Sequence, residues 1–127
     1  MARLIIVAVL LVLPGLARAQ DEGQSARYFF QGCDDFITYT VTEDSAEMTP
    51  EKWTDMVACS AYVRGVGDTL IVHEGLGLSP LCLAPSAATL EIVIAWTNYL
   101  REFPDQLDNY AISSLFNAIQ NRWPCGP

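Results

Sequence analysis

Four cysteines in a chain of 127 residues constrain the fold more than any other feature of this sequence. They are Cys33, Cys59, Cys82 and Cys125, an even number within a single short domain. In a small exported protein, an even cysteine count indicates two disulfides. No two of these cysteines form a Cys-x-x-Cys pair, so the spacing indicates neither a redox motif nor a zinc ribbon. Four cysteines allow three pairings, of which we favour Cys33–Cys59 with Cys82–Cys125.

The first nineteen residues have the order of a secretory signal peptide. Met1-Ala2-Arg3 gives a short positive start, and residues 4–13 form an unbroken apolar run. Pro14-Gly15 interrupts the run, and a small-x-small sequence that ends at Ala19 follows. The run has half of the roughly 20 apolar residues that a membrane-spanning helix needs. We therefore expect cleavage after Ala19, a periplasmic or secreted location, and a domain of residues 20–127 that does not associate with a membrane.

The charge balance restricts the class of partner. The chain has 7 basic and 15 acidic side chains, a formal net charge of −8. Removal of the signal peptide deletes two arginines and leaves five basic against fifteen acidic residues, a net charge of −10. A nucleic-acid-binding protein needs a basic surface to displace phosphate counterions, so this class is excluded. The acidity favours a cationic protein partner, or it serves only to keep a small secreted protein soluble.

Apolar periodicity predicts four helical segments and no convincing sheet, which defines an all-α, disulfide-linked bundle of about four to five helices. Residues 36–42 alternate apolar side chains with threonines, a strand pattern that we interpret as a helix end or an extended loop. The first predicted helix is capped by Ser25, and the second is capped by Thr49 and runs from Pro50 to about His73. The third, a central buried helix, is capped by Thr89 and runs from Leu90 to about Glu102. The fourth opens at Asp108 or Asn109 and carries the apolar residues Ile112, Leu115, Phe116, Ile119 and Trp123.

The second predicted helix carries a stripe of small residues beside its apolar stripe. Ala58, Ala61 and Gly65 recur at i, i+3 and i+7, so we expect another helix to approach closely there. Gly65 and Gly67 each cost about 1 kcal/mol relative to alanine inside a helix, which favours a packing reason for both.

No catalytic constellation is visible in the sequence, and we expect no enzyme, cofactor or metal site. His73 is the only histidine and lies at the C-terminus of a predicted helix, where an imidazole usually interacts with the helix dipole. Asp68 is expected to be partly buried beside the small stripe, with Arg64 or a backbone amide as its partner. The three tryptophans occupy predicted core positions in their helices, namely Trp53, Trp96 and Trp123.

Several segments together resemble one known family. The segment Ala58-Cys59-Ser60-Ala61-Tyr62-Val63-Arg64-Gly65-Val66-Gly67-Asp68 is similar to the A-C-x-G-Y-[IV]-x-G-V-x-D motif of the Rap/Tai immunity proteins, which are antidotes to type VI secretion amidase effectors. Cys82-Leu83, Thr89, Tyr99-Leu100 and Pro104 resemble that family's C-L-P…T…Y-L-x-x-H-P run. Trp123-Pro124-Cys125 resembles its closing F-P-C. The resemblance covers roughly residues 25–125.

The resemblance implies a small helical periplasmic protein, often dimeric, that binds a peptidoglycan amidase and covers its active-site groove. The matching residues Tyr62, Gly65, Asp68, Tyr99, Leu100 and Pro104 read as structural positions rather than as a binding surface. We expect the binding surface either in the acidic segment 34–47 or in the loop 74–84. The candidate residues are Asp34, Asp35, Glu43, Asp44, Glu47 and Glu74.

Three other functions remain compatible with the sequence. An acidic periplasmic stress chaperone would expose apolar surface when its carboxylates are protonated at low pH. A secreted hydrolase would depend on the single histidine. A family member with a partner other than an amidase would share every motif described above.

Overall fold

The computed structural model describes residues 25–45, 47–77, 82 and 87–126. The predicted signal peptide and most of the predicted loop 74–84 lie outside the described residues. Within the described ranges the chain forms four α-helices and no strand, so the predicted all-α bundle is confirmed. The helices are α1 (Ala26–Thr42), α2 (Pro50–Gly75), α3 (Thr89–Glu102) and α4 (Ala111–Arg122), and a 3₁₀ helix (Pro104–Asp108) joins the last two.

Residues 36–42 are helical, and the threonines of the apparent strand pattern explain why. The hydroxyls of Thr38, Thr40 and Thr42 each donate a hydrogen bond to the carbonyl oxygen four residues earlier, at 2.7–3.1 Å. A threonine bonded in this way is compatible with a helix despite its β-branched side chain. The period of two in this segment therefore arises from helix-bonded threonines and not from pairing with another strand.

Helix boundaries follow the predicted signals at α2 and differ at α3 and α4. Thr49 caps α2 by accepting the Lys52 N–H at 3.3 Å, with a proline in the first turn. Thr89 is the first residue of α3 rather than its cap, and Glu91 accepts the N–H of the preceding Ala88 at 3.2 Å. The predicted opening of the last helix at Asp108 or Asn109 is wrong, because Pro104 starts a separate 3₁₀ helix and α4 begins only at residue 111.

Helix α3 is the centre of the bundle and packs against the other three helices. Its Trp96 is fully buried, and the indole N–H donates to the Ser114 hydroxyl at 2.9 Å. Ser114 in turn donates to the carbonyl of Ala111 at 3.0 Å, so this buried polar chain ends on a backbone acceptor. Apolar residues from all four helices surround this pair: Phe29, Val63, Val93, Leu100, Leu115 and Ile119.

The close helix approaches occur at glycines outside the predicted small stripe. A Cβ atom on Gly32 would lie 2.3 Å from the backbone oxygen of Asp55, so α1 and α2 touch there. A Cβ on Gly67 would lie 3.2 Å from Cδ1 of Ile92. At Gly65 such an atom meets nothing within 4 Å. The packing reason predicted for Gly67 is therefore present, whereas the helix expected against Gly65 is absent from the part of the chain that the structure describes.

Two disulfides link the chain in the pairing favoured above. Cys33–Cys59 joins α1 to α2 with a Cα–Cα distance of 5.2 Å, and both residues are fully buried. Cys82–Cys125 joins the segment between α2 and α3 to the C-terminal end, at 5.1 Å, and both residues are exposed.

Candidate protein-binding surface

Three of the six predicted acidic residues converge at one end of the bundle. Asp35, Asp44 and Glu47 line a groove of about 260 Å³ between the end of α1 and the start of α2. We call it the acidic groove. Its other lining residues are Thr38, Tyr39, Thr42, Met48 and Lys52.

A left-handed residue at the end of α1 shapes this groove. Glu43 has φ 53° and its N–H donates to the carbonyl of Tyr39 at 2.8 Å, which terminates the helix. The N–H of Asp44 then donates to the Thr42 hydroxyl at 3.3 Å. The chain turns sharply as a result, and Asp44 and Glu47 reach the same side as Asp35.

An aromatic pair lies beside the acidic groove. The rings of Tyr39 and Trp53 meet edge to face, with 5.8 Å between their centroids. The predicted core position of Trp53 is wrong, because this side chain is 47% exposed, whereas Trp96 is buried as predicted and Trp123 is half-buried. Trp53 lies about 90° around α2 from the buried stripe, at the edge of the face that packs. Tryptophan and tyrosine are enriched at the energetic centres of protein interfaces.

The other three candidate acidic residues lie elsewhere or point elsewhere. Asp34 faces α3, where its carboxylate is bonded to Arg101. Glu43 is exposed at the end of α1. Glu74 follows Lys52 by 22 residues on the same helix, which places it about 33 Å away along the axis. Its Oε2 is buried and has no hydrogen-bond partner among the described residues. The six candidates therefore do not form one surface.

Some of the residues shared with the immunity-protein motif pack within the bundle, and others are exposed to solvent. Tyr62 stacks on Phe29 with 4.4 Å between centroids, and its burial raises the pKa of the phenol. Leu100 is buried, Tyr99 packs on the ring of Phe103, and Pro104 starts the 3₁₀ helix. These four positions have a clear structural role. Gly65, by contrast, is exposed.

The predicted partial burial of Asp68 is wrong, although its predicted partner is present. Its side chain is 71% exposed, and its carboxylate lies 3.8 Å from the guanidinium of Arg64. The expectation rested on a helix covering the small stripe at Gly65, and no described helix lies there.

No described group of residues suggests catalysis by a metal. Within the described ranges, no three His, Cys, Asp or Glu side chains are arranged to hold a metal ion. His73 is exposed and borders an apolar groove between α2 and α4. None of the described helices combines the length and the apolar character that crossing a membrane requires.

These features define a small helical-bundle protein held by two disulfides, with an acidic and aromatic surface at one end. The family model of the Rap1a immunity proteins matches residues 25–125, and the chain belongs to this family. Membership indicates an immunity protein that binds a protein effector and counters its toxicity. No curated protein and no solved structure gives a significant match to the chain.

Proposed function

We propose that this protein acts outside the cytoplasm, in the periplasm, and neutralises a peptidoglycan amidase effector of a type VI secretion system by covering its active site. Membership in the Rap1a family supports the immunity role, and the Rap/Tai motifs in the sequence supply the amidase as target. The two disulfides support an oxidising location. Occlusion requires only a rigid surface that is complementary to the effector.

The acidic groove and Trp53 are the surface that we assign to the effector. The observation that carries this assignment is the convergence of Asp35, Asp44 and Glu47 beside a half-exposed tryptophan. An aromatic anchor surrounded by charged groups is a common arrangement in tight protein interfaces. The carboxylates would attract a cationic rim of the effector and raise the association rate, while Trp53 would slow dissociation.

The cross-link between α1 and α2 keeps this surface rigid. Cys33–Cys59 joins the two helices whose ends form the acidic groove. The backbone contact between Gly32 and Asp55 fixes their distance a few residues away. A preorganised surface loses little conformational entropy on binding, which favours the high affinity that an antidote needs.

Stoichiometric inhibition of an amidase tests the functional proposal. Purified type VI amidase effectors are assayed for hydrolysis of peptidoglycan amide bonds, with and without one equivalent of the oxidised protein. We expect hydrolysis by one effector to stop at a ratio near one. If none of the amidases is inhibited, while a non-amidase toxin is, the amidase target is wrong. Apolar dye binding and client protection only at acidic pH would instead support the chaperone function.

Charge-matched variants test the proposed surface. Asp35→Asn/Glu47→Gln and Trp53→Ala should each weaken effector binding by at least about tenfold, a loss of about 1.4 kcal/mol. The control, Glu102→Gln/Asp105→Asn, removes the same charge from exposed positions at the end of α3 and the 3₁₀ helix. Equal affinities for the control and both test variants, with unchanged folding, would place the binding surface elsewhere.

A further inference from the structure

A pocket with mostly polar side chains lies at the start of α1, away from the acidic groove at the end of that helix. Its volume is about 390 Å³, within the range of about 300–1,000 Å³ that small-molecule sites occupy. One wall is the residue that precedes α1, and the other is the junction between the 3₁₀ helix and α4. We call it the polar pocket, and its described lining residues are Ser25, Asp108, Asn109, Tyr110 and Ser113.

Backbone contacts hold the two walls of the polar pocket together. The N–H of Ala26 donates to the carbonyl of Asn109 at 3.0 Å, and Ser25 forms an isolated antiparallel bridge with Tyr110. On the α4 side, the N–H of Ser113 donates to the carbonyl of Tyr110 at 3.0 Å. A pocket whose walls are already connected loses little conformational entropy when a ligand binds.

The charges at the polar pocket are balanced, although the molecule as a whole is acidic. Among the described lining residues only Asp108 is charged, and Arg27 donates to its Oδ1 at 2.7 Å. A cationic ligand would have to compete with Arg27 for this carboxylate. An anionic ligand would be repelled by Asp108 and by the net charge of −8. The charge balance therefore favours a neutral ligand, which can donate a hydrogen bond to Oδ2 of Asp108.

The other polar side chains of the pocket both donate and accept hydrogen bonds. The hydroxyls of Tyr110 and Ser113 can do either, and the carboxamide of Asn109 combines two donors with one acceptor oxygen. This carboxamide donates to the side chain of Gln106 at 3.0 Å, which fixes its orientation. A ligand with several adjacent hydroxyls matches this mixed set, because each of its hydroxyls also donates and accepts.

An aromatic ring lies beside these polar groups. The side chain of Tyr110 is 57% exposed. The face of such a ring is electron-rich and attracts polarised C–H bonds. A pyranose of the glucose type carries its hydroxyls around the rim and presents C–H bonds on its faces. Such a sugar can therefore stack on Tyr110 while its hydroxyls bond to the surrounding side chains.

We propose that the polar pocket binds a neutral sugar ring of the glucose type, stacked on Tyr110 and hydrogen-bonded to Asp108 and Ser113. This inference goes beyond the proposed function, because the pocket and the acidic groove are separate. Ser25 and Asp35 are ten residues apart along α1, which corresponds to about 15 Å. Sugar binding and effector inhibition can therefore be measured independently, and either can fail alone.

Titration of the isotope-labelled, oxidised protein with methyl β-glucopyranoside tests the proposal, with backbone amide NMR signals as the readout. We expect saturable shifts at residues 108–113 and none at residues 35–47. Sorbitol offers hydroxyls without a ring face, and glucuronate adds a negative charge, so each should bind at least about fivefold more weakly. The absence of saturable shifts with the glucoside, or an equal affinity for either related compound, would overturn the proposal.

A disaccharide distinguishes the two sources of such a sugar ring. Binding of di-N-acetylchitobiose at least about fivefold tighter than the glucoside would assign the pocket to a glycan chain, since a second ring then adds contacts. An equal or weaker affinity would assign it to a free sugar. Either result keeps the sugar site, provided that the shifts stay at residues 108–113.

Two equally exposed tyrosines provide matched variants. Tyr110→Ala removes the stacking face and should weaken glucoside binding by at least about fivefold, whereas Tyr110→Phe keeps the face and should retain most of the affinity. Tyr28→Ala is the control, because this side chain is also 57% exposed but does not line the polar pocket. Equal affinities of Tyr110→Ala and Tyr28→Ala, with both variants folded, would overturn the proposal.

A substitution at Ser113 separates sugar binding from folding. Ser113 is exposed, so Ser113→Ala should leave the thermal midpoint unchanged. The same variant lacks the hydroxyl that would bond to the sugar and should bind the glucoside about fivefold more weakly. A Ser113→Ala variant that binds the glucoside as tightly as the original protein would contradict the proposed hydrogen bond.

Discussion

Gly32 and Gly65 are both helical glycines, yet their surroundings give opposite predictions for the same substitution. Gly32→Ala would place a Cβ against the backbone of Asp55, which cannot move without separating α1 from α2. We expect a loss of about 1–3 kcal/mol in the free energy of unfolding. Gly65→Ala meets open space and should gain about 0.5–1 kcal/mol from helix propensity. Urea unfolding at low protein concentration measures both, and a similar change in the two variants would contradict the packing described here.

The buried hydrogen bond between Trp96 and Ser114 gives a second prediction for a single residue. Ser114→Ala removes the only hydrogen-bond partner that the structure shows for the indole N–H, inside a core from which water is excluded. We expect a loss of about 1–3 kcal/mol in the free energy of unfolding. Ser113→Ala, one residue earlier and exposed, is the control and should change it by less than about 0.5 kcal/mol. Equal stability of the two variants would show that the indole is satisfied in another way.

At the residue level, the sequence predicted burial well wherever several apolar residues shared one periodic stripe. In the apolar stripe of α2, Met56, Cys59, Val63 and Leu70 are buried and Val66 is half-buried. Trp53 was assigned to the core because tryptophan is apolar and lies in a helix, although its angle on the helix is outside the stripe. Exposed interface residues resemble core residues in composition, so their type alone did not distinguish them.

Helix α1 is fastened to the 3₁₀ helix by a small group of contacts at its start. The N–H of Ala26 donates to the carbonyl of Asn109 at 3.0 Å, and the Arg27 guanidinium donates to the Asp108 carboxylate at 2.7 Å. This hydrogen bond to Arg27 lowers the pKa of Asp108 and raises the pKa of Arg27. Both side chains are largely exposed, so their contribution to stability is modest and decreases with salt.

The lowered pKa of Asp108 predicts a pH dependence of stability. The folded state binds this proton more weakly than the unfolded state, whose pKa is about 3.9, so the stabilisation is present above that pH. It is lost as the pH falls through the folded pKa. The thermal midpoint of Asp108→Asn should therefore lie below that of the original protein at pH 7, and the difference should vanish at strongly acidic pH. The control is Asp105→Asn. The Asp105 carboxylate forms no salt bridge with any basic side chain in the described ranges, so this variant should show no such pH dependence.

The elements themselves were largely predictable, and the exceptions have local causes. Thr49-Pro50 fixed the start of α2 because a cap and a first-turn proline agree. Residues 36–42 were ambiguous because threonine favours strands by propensity but bonds back to the helix here. The start of α4 was misplaced, since Pro104 begins a short 3₁₀ helix whose residues carry the same capping types.

For the whole molecule, the sequence predicted the acidic segment 34–47 as one of two candidate regions but not which of its carboxylates lie on one surface. Asp34 and Asp35 are adjacent in sequence, yet helical geometry turns one toward Arg101 and the other into the acidic groove. Asp44 and Glu47 reach the groove only through the left-handed turn at the end of α1. The small stripe of Ala58, Ala61 and Gly65 on α2 was predicted to pack against another helix, but no described helix lies against Gly65. Whether such a stripe is covered depends on the tertiary arrangement and not on residue type alone.

The two disulfides should contribute differently to the stability of the whole molecule despite similar loop sizes. Their sequence separations of 26 and 43 residues correspond to about 3.5 and about 4 kcal/mol of unfolded-state entropy. Burial should reverse the order of the two stability losses, because Cys33→Ser/Cys59→Ser also places two hydroxyls in the core. We expect that variant to lose its cooperative unfolding transition, whereas Cys82→Ser/Cys125→Ser should remain folded with a lower thermal midpoint. Cys33→Ala/Cys59→Ala separates the hydroxyl penalty from the loss of the cross-link, and it should be intermediate.

Exposure also predicts the order in which a reductant opens the two disulfides. A thiolate must reach the sulfur that it attacks, and only Cys82–Cys125 is accessible in the folded protein. Increasing amounts of a thiol reductant should therefore yield first a folded species with two free thiols at residues 82 and 125. Cys33–Cys59 should open only when the helices separate, so its reduction should coincide with the loss of helical circular dichroism. Alkylation followed by peptide mass spectrometry assigns the thiols at each step. Reduction of Cys33–Cys59 before Cys82–Cys125, with helicity intact, would mean that α1 and α2 separate locally without unfolding. The rigid surface on which the binding proposal depends would then not exist.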